Sequence, residues 1–417
     1  MADESGGKVE IITSITTVAV NVNSMNEQKM TSILFKVLSR TIRNQTIELD
    51  KLSRIQAQLK KINKPAVKTI NSPDGDIIDC VLFHDQPAFD LPELKDQKTT
   101  LELPEWPKGY NINEDTTTRV ETFQLWSSSG EECPNGTVPI LRTTEQHLLR
   151  ASNMTRFGQK VRSTYEHEYA IVSVGGDQYH GAKTNINVWA PITEPAEFSL
   201  AQIWLISGTY EAKDLNTIEV GWQVYPDNYG GDKNPRLFGY WTRDAYQSTG
   251  CYNLLCAGFV QTDKSIALGA AVSPISSYNG EQVDIELMVW NDPKNGNWWL
   301  SYMSGILVGY WPSSLFTGLK SHAESIEFGG EIVNSAVNGH TTAQMGSGHF
   351  AEEGFNKAAF FKNLNLINSL NEMFSIPVTN IEITVDKPSC YDLSLLSNND
   401  FGTHFYYGGP GKNPKCP

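Results

Sequence analysis

The chain has 417 residues, of which 40% are hydrophobic and 10% aromatic; that length and composition allow a large core and exclude a disordered chain. Its formal net charge of −14 argues against nucleic acid as a partner. No run of about 18 apolar residues occurs, so no membrane-spanning helix is expected.

Residues 1 to about 30 read as an irregular tail, and residues 1–45 as an N-terminal extension. Ile11 to Val20 is rich in Thr and too weakly apolar for the core of a signal peptide, so no export signal is expected in the chain as written. From Thr31 to Ile62 the pattern becomes helical. Leu52, Ile55, Leu59 and Ile62 fall on one helix face, and Pro65 ends it. Several prolines and a strand candidate at Asp76–Phe83 follow, so residues 46–125 read as a small α+β module.

Residues 126–164 read as a linker or junction. Ser127–Glu132 and Pro134–Gly136 mark loops, and Arg142, Arg150, Arg156 and Lys160 are accessible to processing enzymes. Residues 165–417 are β-rich. Strand signals recur from Tyr169–Val174 to Ser325–Val333, punctuated by Gly, Asn, Asp and Pro. No long amphipathic helix separates them, which predicts an antiparallel β-sandwich or barrel rather than a parallel sheet.

The six cysteines are Cys80, Cys133, Cys251, Cys256, Cys390 and Cys416. Without CxxC or His-rich partners they read better as disulfides than as metal ligands. Cys251 and Cys256 would pin a tight turn, Cys390 and Cys416 would staple the C-terminal segment, and Cys80 and Cys133 remain to pair. Free buried thiols are the alternative. Disulfides imply an oxidising compartment, and sequons at Asn44, Asn135 and Asn153 point the same way.

Two carboxylates stand out. In Thr217–Gln223, Ile218, Val220 and Trp222 share one strand face, while Glu219, Gly221, Gln223 and Tyr225 share the other. In Ile326–Ile332, Glu327, Gly329 and Glu331 share one face. An ionisable group inside an apolar strand is costly unless exposed, paired or used. A solvent face and an edge-strand bulge are the plain alternatives. If Glu219 and Glu331 face each other, they are the minimum equipment for acid–base hydrolysis. The histidines form no HExxH; His340 and His349 read as structural. There is no GxSxG elbow, P-loop or dinucleotide fingerprint, and no cofactor or metal is expected.

Several blocks resemble the plant neprosin family. They include Val188-Trp189-Ala190-Pro191, Ile218-Glu219-Val220-Gly221-Trp222-Gln223, Gly250-Cys251-Tyr252-Asn253-Leu254-Leu255-Cys256, Gly309-Tyr310-Trp311-Pro312, Gly329-Gly330-Glu331-Ile332 and Met345-Gly346-Ser347-Gly348-His349-Phe350. Asp76-Ile77-Ile78-Asp79-Cys80 and Gln86-Pro87-Ala88-Phe89-Asp90 resemble that family's activation peptide. Cys133-Pro134-Asn135-Gly136 resembles its junction. The resemblance runs from about residue 48 to 417.

The resemblance implies a glutamic peptidase that cleaves after proline at acid pH, on a two-sheet antiparallel sandwich with a groove across one sheet. It places the two catalytic glutamates at Glu219 and Glu331 and two disulfides at Cys251–Cys256 and Cys390–Cys416. It implies a front module that acts as an inhibitory propeptide, and a secreted, extracellular or vacuolar location. Gln223 and Tyr225 are candidates for holding the oxyanion, and Tyr240, Trp241 and Trp298 for cupping the prolyl ring. The expected partners are proline-containing peptides or proteins and the chain's own propeptide. The rival readings are a glycosidase using the same two carboxylates and a non-catalytic extracellular carbohydrate- or wall-binding sandwich.

Overall fold

The computed structural model describes residues 27–94, 102–111, 123–128, 130–151, 154–160, 165–303 and 305–417. The chain forms two compact units, residues 1–57 and 58–417. What is described of the first is helical, within a helix that runs Glu27–Ile62.

The second unit begins with a three-stranded antiparallel sheet in the order Ala66–Asn71, Ile77–Leu82, Thr137–Leu141. Ser72-Pro73-Asp74-Gly75 makes its first turn. Pro73 presets the backbone, and Gly75 takes φ +93° and donates its N–H to the Ser72 carbonyl at 3.0 Å. A Cys80–Cys133 disulfide ties the middle strand to the approach of the third. The stretch that the sequence suggests is a linker therefore contributes a strand here. Ile70, Ile78, Cys80 and Leu141 share a cluster with Trp126, Tyr229, Ala267 and Ala270.

Two larger antiparallel sheets make a sandwich, the mainly β architecture expected. One has seven strands, in the order Cys251–Tyr252, Arg236–Thr242, Asn216–Val224, Ser199–Ser207, Ala323–Asn334, Glu166–Tyr179, Glu382–Val385. The other has ten and is centred on Asp284–Asn291, Gly181–Asn187 and Ala359–Ile367. Alternate residues fill the space between them: Ile218, Val220, Trp222 and Val224 from one sheet, Ile285, Leu287, Val289 and Phe361 from the other. Disulfides Cys251–Cys256 and Cys390–Cys416 close short loops at the margins.

The front sheet is held to the sandwich by directed polar contacts as well as apolar ones. The Arg236 guanidinium, 2% exposed, donates to both oxygens of Asp76 at 2.6 and 3.1 Å and to Asp232 at 2.9 Å. Two buried glutamines clamp backbone edges. Gln86 bonds the N–H and C=O of Gln261 at 2.8 and 3.1 Å, and Gln124 bonds the N–H of Ala267 and its C=O, both at 2.7 Å. Trp106 stacks on Trp290 with ring centroids 5.0 Å apart.

Candidate active site

The outer face of the seven-stranded sheet carries Glu219, Gly221 and Gln223 on one strand and Glu327, Gly329 and Glu331 on another. Strand Ser199–Ser207 runs between them. Trp204 lies opposite both Glu219 and Glu327, Gln202 opposite both Gly221 and Gly329, and Leu200 opposite both Gln223 and Glu331. Two strands with the right alternation thus bring Glu219 and Glu331 to one face.

That face is not a solvent face. All nine residues of Asn216–Val224 are buried. Glu219 is 0% exposed and Glu331 3% exposed. Phe198, Leu200, Trp204, Phe238, Tyr240 and Tyr252 form an aromatic-rich cluster here, with Tyr169, Tyr225 and Tyr246 packed against it. Carboxylates in such surroundings need partners.

Every partner of Glu219 donates. The Tyr246 hydroxyl reaches Oε1 at 2.7 Å and the Thr217 hydroxyl reaches it at 2.8 Å; the Gln202 amide Nε2 lies 3.4 Å from Oε2. The fourth donor is the Lys160 ammonium, ion-paired with Oε2. Lys160 comes from the segment ahead of the sandwich. Its Nζ also lies over the rings of Tyr240, Tyr246 and Tyr252, 4.9, 5.4 and 5.9 Å from their centroids. Burial opposes its charge, but the carboxylates of Glu219 and Glu331 outweigh burial and hold its pKa above the ordinary value.

The segment that delivers Lys160 is anchored by backbone contacts. The Tyr252 N–H donates to the Gly158 carbonyl at 2.7 Å, and the Lys160 N–H donates to the Tyr240 hydroxyl at 3.2 Å. Gly158 sits at φ +89°, where a Cβ would meet the Leu255 Cβ at 2.8 Å, so only glycine passes this point. Lys160 is 17% exposed at its side chain. That corrects the expectation of an accessible processing residue: its charge has a buried anion to satisfy. Arg142 is likewise engaged, on Asp79.

Glu331 has a different environment. The His167 ring Nδ1 lies 2.6 Å from Oε1, and the Tyr169 hydroxyl donates to the same oxygen at 3.3 Å. Burial alone would raise its pKa. The His167 hydrogen bond, the Lys160 charge and the Tyr169 hydroxyl outweigh it and hold Glu331 below the usual value. Glu327, on the same face, is pushed the other way, to about 7, by burial and then by the charges of Glu331 and Glu219. Burial also raises the Tyr246 and Tyr252 phenols well above their ordinary range, so they stay neutral donors.

The remaining sequence candidates divide. Tyr240 lies directly opposite Glu219 and belongs to the aromatic-rich cluster on this face. Tyr225 packs edge-on to Phe198 at 5.3 Å on the same face, its phenol pushed up to about 12 by burial. Gln223 shares the face, but its Nε2 is committed to the Tyr229 hydroxyl at 2.8 Å. Trp241 and Trp298 are corrections. Trp241 has the parity of Leu237 and points into the inter-sheet core. Trp298, 0% exposed, lies in that core with its ring N–H on the Leu319 carbonyl at 2.6 Å.

Asn135 is exposed; the Asn44 side chain and Asn153 lie outside the described residues. His340 pairs with Glu168 at 2.7 Å and His349 with Glu353 at 2.8 Å, each on a carboxylate other than Glu219 and Glu331. Cys390 and Cys416 lie near His340, but they are bonded to each other and offer no thiolate to a metal. Lys160, His167, Tyr169, Gln202, Thr217, Tyr246 and Glu327 are the site residues that sequence reasoning did not single out for chemistry. Only Glu327 carried a signal, through its shared parity with Glu331.

Comparison with known proteins gives the family. A profile described as Neprosin matches residues 195–410, and one described as Neprosin activation peptide matches residues 69–182. Among solved structures, a Scytalido-glutamic peptidase with a peptide-based transition-state analogue is similar at 14% identity. The match covers 59% of this chain and 98% of that one with a TM-score of 0.33. SCP-B, a member of the Eqolisin family of peptidases bound to the tripeptide Ala-Ile-His, is similar at 13% identity, over 58% of this chain and 98% of that one, with a TM-score of 0.31. The chain belongs to the neprosin family of peptidases and carries an activation-peptide region ahead of its neprosin domain.

Proposed function

We propose that this protein is a glutamic endopeptidase that hydrolyses peptide bonds after proline at acid pH and is made as a latent zymogen. The observation that carries the reading is the buried pair Glu219 and Glu331, on strands on either side of Ser199–Ser207 and on one aromatic-rich face.

The roles follow from the two environments. Glu331, kept ionised by His167 and Tyr169, is the general base. It takes a proton from a water as that oxygen attacks the scissile carbonyl carbon. Glu219, protonated in acid and freed of Lys160, donates its proton to the leaving nitrogen as the C–N bond breaks. The two carboxyls end with exchanged protonation states, and solvent resets them. The acid requirement comes from the need for one protonated and one ionised carboxyl in the same pocket.

Specificity for proline is supported by the rings around the Lys160 ammonium. Tyr240, Tyr246 and Tyr252 present faces beside Glu219. A pyrrolidine ring is compact and its C–H groups next to the imide nitrogen are electron-poor, so it suits the same aromatic faces. Latency is supported by Lys160 itself. While it holds Glu219, the proton donor is an ion-paired carboxylate. Three disulfides suit an oxidising compartment, and we assign the protein to the secretory route or the vacuole.

The test is incubation of the purified chain with a proline-containing peptide across a pH series, with products read by mass spectrometry. Cleavage on the carboxyl side of proline, confined to acid pH and accompanied by a smaller enzyme band, is expected. An intact peptide at every pH, from folded protein freed of its front region, sinks the proposal.

A further inference from the structure

Gln202 stands between the two glutamates, and the backbone clears space for it. Its cross-strand neighbours are Gly221 on one side and Gly329 on the other. A Cβ on Gly221 would collide with the Ala201 carbonyl oxygen, and one on Gly329 with the Ala170 carbonyl oxygen. Neither position accepts a side chain, so of these three strands Gln202 alone raises one at this level, with Phe238 and Ile171 on the next strands out. The next positions along the flanking strands on this face include Glu219, two residues from Gly221, and Glu331, two residues from Gly329.

The carboxamide is 0% exposed and only half used. Nε2 faces the Glu219 carboxylate at 3.4 Å, which fixes the orientation of the amide, because the opposite flip would set two oxygens against each other. Oε1 is buried and has no hydrogen-bond partner among the described residues. An orphaned buried acceptor costs about 1–3 kcal/mol and calls for a reason. An apolar side chain would remove that cost, and the neighbours Leu200, Ile203 and Trp204 show that this strand takes apolar residues readily.

We propose that Gln202 is a third catalytic residue: its Oε1 accepts a hydrogen bond from the attacking water. This rests on the peptidase reading above. The water has two protons. Glu331 takes one, and Oε1 holds the other, which aims an oxygen lone pair at the scissile carbonyl. Gln202 gains and loses no proton. Unlike a carboxylate it keeps the same acceptor and donor throughout the acid range, so water positioning does not depend on the protonation state of the pair.

The experiment uses the acid-processed enzyme with Gln202→Met, Gln202→Glu and Glu219→Gln beside wild type. kcat and KM are measured separately against pH. Gln202→Met keeps length and removes the acceptor; kcat should fall about 100-fold, the usual scale for one preorganised hydrogen bond to a reacting group, with KM within about twofold. Gln202→Glu restores an acceptor oxygen and should recover part of kcat, with the acid limb of its kcat–pH profile displaced, since the new carboxyl must be ionised to accept. A Gln202→Met enzyme with kcat within about threefold of wild type, or a loss carried wholly by KM, overturns the proposal. If Gln202→Met fails to fold, Gln202→Glu decides, and an unchanged kcat–pH profile there overturns it. Processed wild type as silent as Glu219→Gln overturns the peptidase reading itself, and this assignment with it.

Discussion

Replacing Lys160 by Met keeps the length and apolar stem of the side chain and deletes the charge on Glu219. In the folded chain that ammonium is bound by a fully buried carboxylate and three tyrosine rings. Removing one partner of a buried pair costs about 3–5 kcal/mol. Tyr246 and Thr217 still serve Glu219, so the lower end, about 3 kcal/mol, is the better figure. The rest of the segment keeps its contacts: the Gly158 carbonyl on Tyr252, the Lys160 backbone N–H on Tyr240 and the Arg156 guanidinium on the Gln247 carbonyl at 3.0 Å. The closed form is therefore weakened and not abolished. At about 1.4 kcal/mol per decade, the open fraction rises about 100-fold.

The direction with pH can be worked out from the groups involved. Lys160 has a raised pKa, so its contribution is fully present at neutral and acid pH and is lost only on the alkaline side. Glu331 has a lowered pKa, so its contribution is present above its unfolded value and disappears as pH falls through the folded one. Acid thus loosens the closed form through Glu331 and never through the lysine, while Glu327, with its raised pKa, works in the opposite direction. The assay is the initial rate on a fluorogenic proline peptide, read before any processed band appears, between pH 4 and 8. Lys160→Met should show its largest excess over wild type at the least acid pH at which the processed enzyme still turns over, and converge with wild type as further acid opens both. An unprocessed Lys160→Met chain as silent as wild type at every pH, alongside equal activity of the two processed enzymes, refutes Lys160 as the latch.

Glu219→Gln and Glu331→Gln should each lower kcat by about 10²–10⁴ while leaving the circular dichroism spectrum unchanged, and full activity in either variant removes that residue from the dyad. Glu327, with its pKa raised to about 7, favours the folded state more as pH falls from about 7 towards 4.5. Glu327→Gln should therefore stabilise the protein by about 3 kcal/mol at pH 8 and change little at pH 4, read as paired Tm measurements; an equal shift at both pH values contradicts the assignment. Asp76→Asn leaves the buried Arg236 guanidinium with Asp232 as its remaining carboxylate. Docking of the front sheet should weaken by about 2–3 kcal/mol, seen as faster release of that sheet in limited proteolysis at neutral pH, and an unaltered release rate argues against this ion pair as an anchor.

What could be read in advance depended on whether a residue's role is set by its own strand or by a neighbour's. Glu219 and Glu331 were legible because alternation assigns each to a face from local sequence alone, and an acid among Ile, Val and Trp breaks the apolar pattern visibly. The same alternation places Trp241 with Leu237 in the core, so ranking it by its aromatic character instead of its parity misassigned it. Gln202 was hidden for the opposite reason. It lies in Phe198–Trp204, a run that reads as buried strand, and nothing in that run reveals that glycines will stand opposite it on both sides. That alignment exists only once three strands, far apart in sequence, are in register. Lys160 was less visible still. It follows a polar stretch with no periodicity, and its destination is fixed by Gly158 passing close to Leu255 and by a buried anion needing a cation. The site therefore joins two kinds of information: strand alternation supplies the carboxylates, and tertiary register supplies the groups that restrain and orient them. On the proposed function, latency and proton donation compete for one oxygen, because the Glu219 oxygen that Lys160 holds is the one that faces the Gln202 amide.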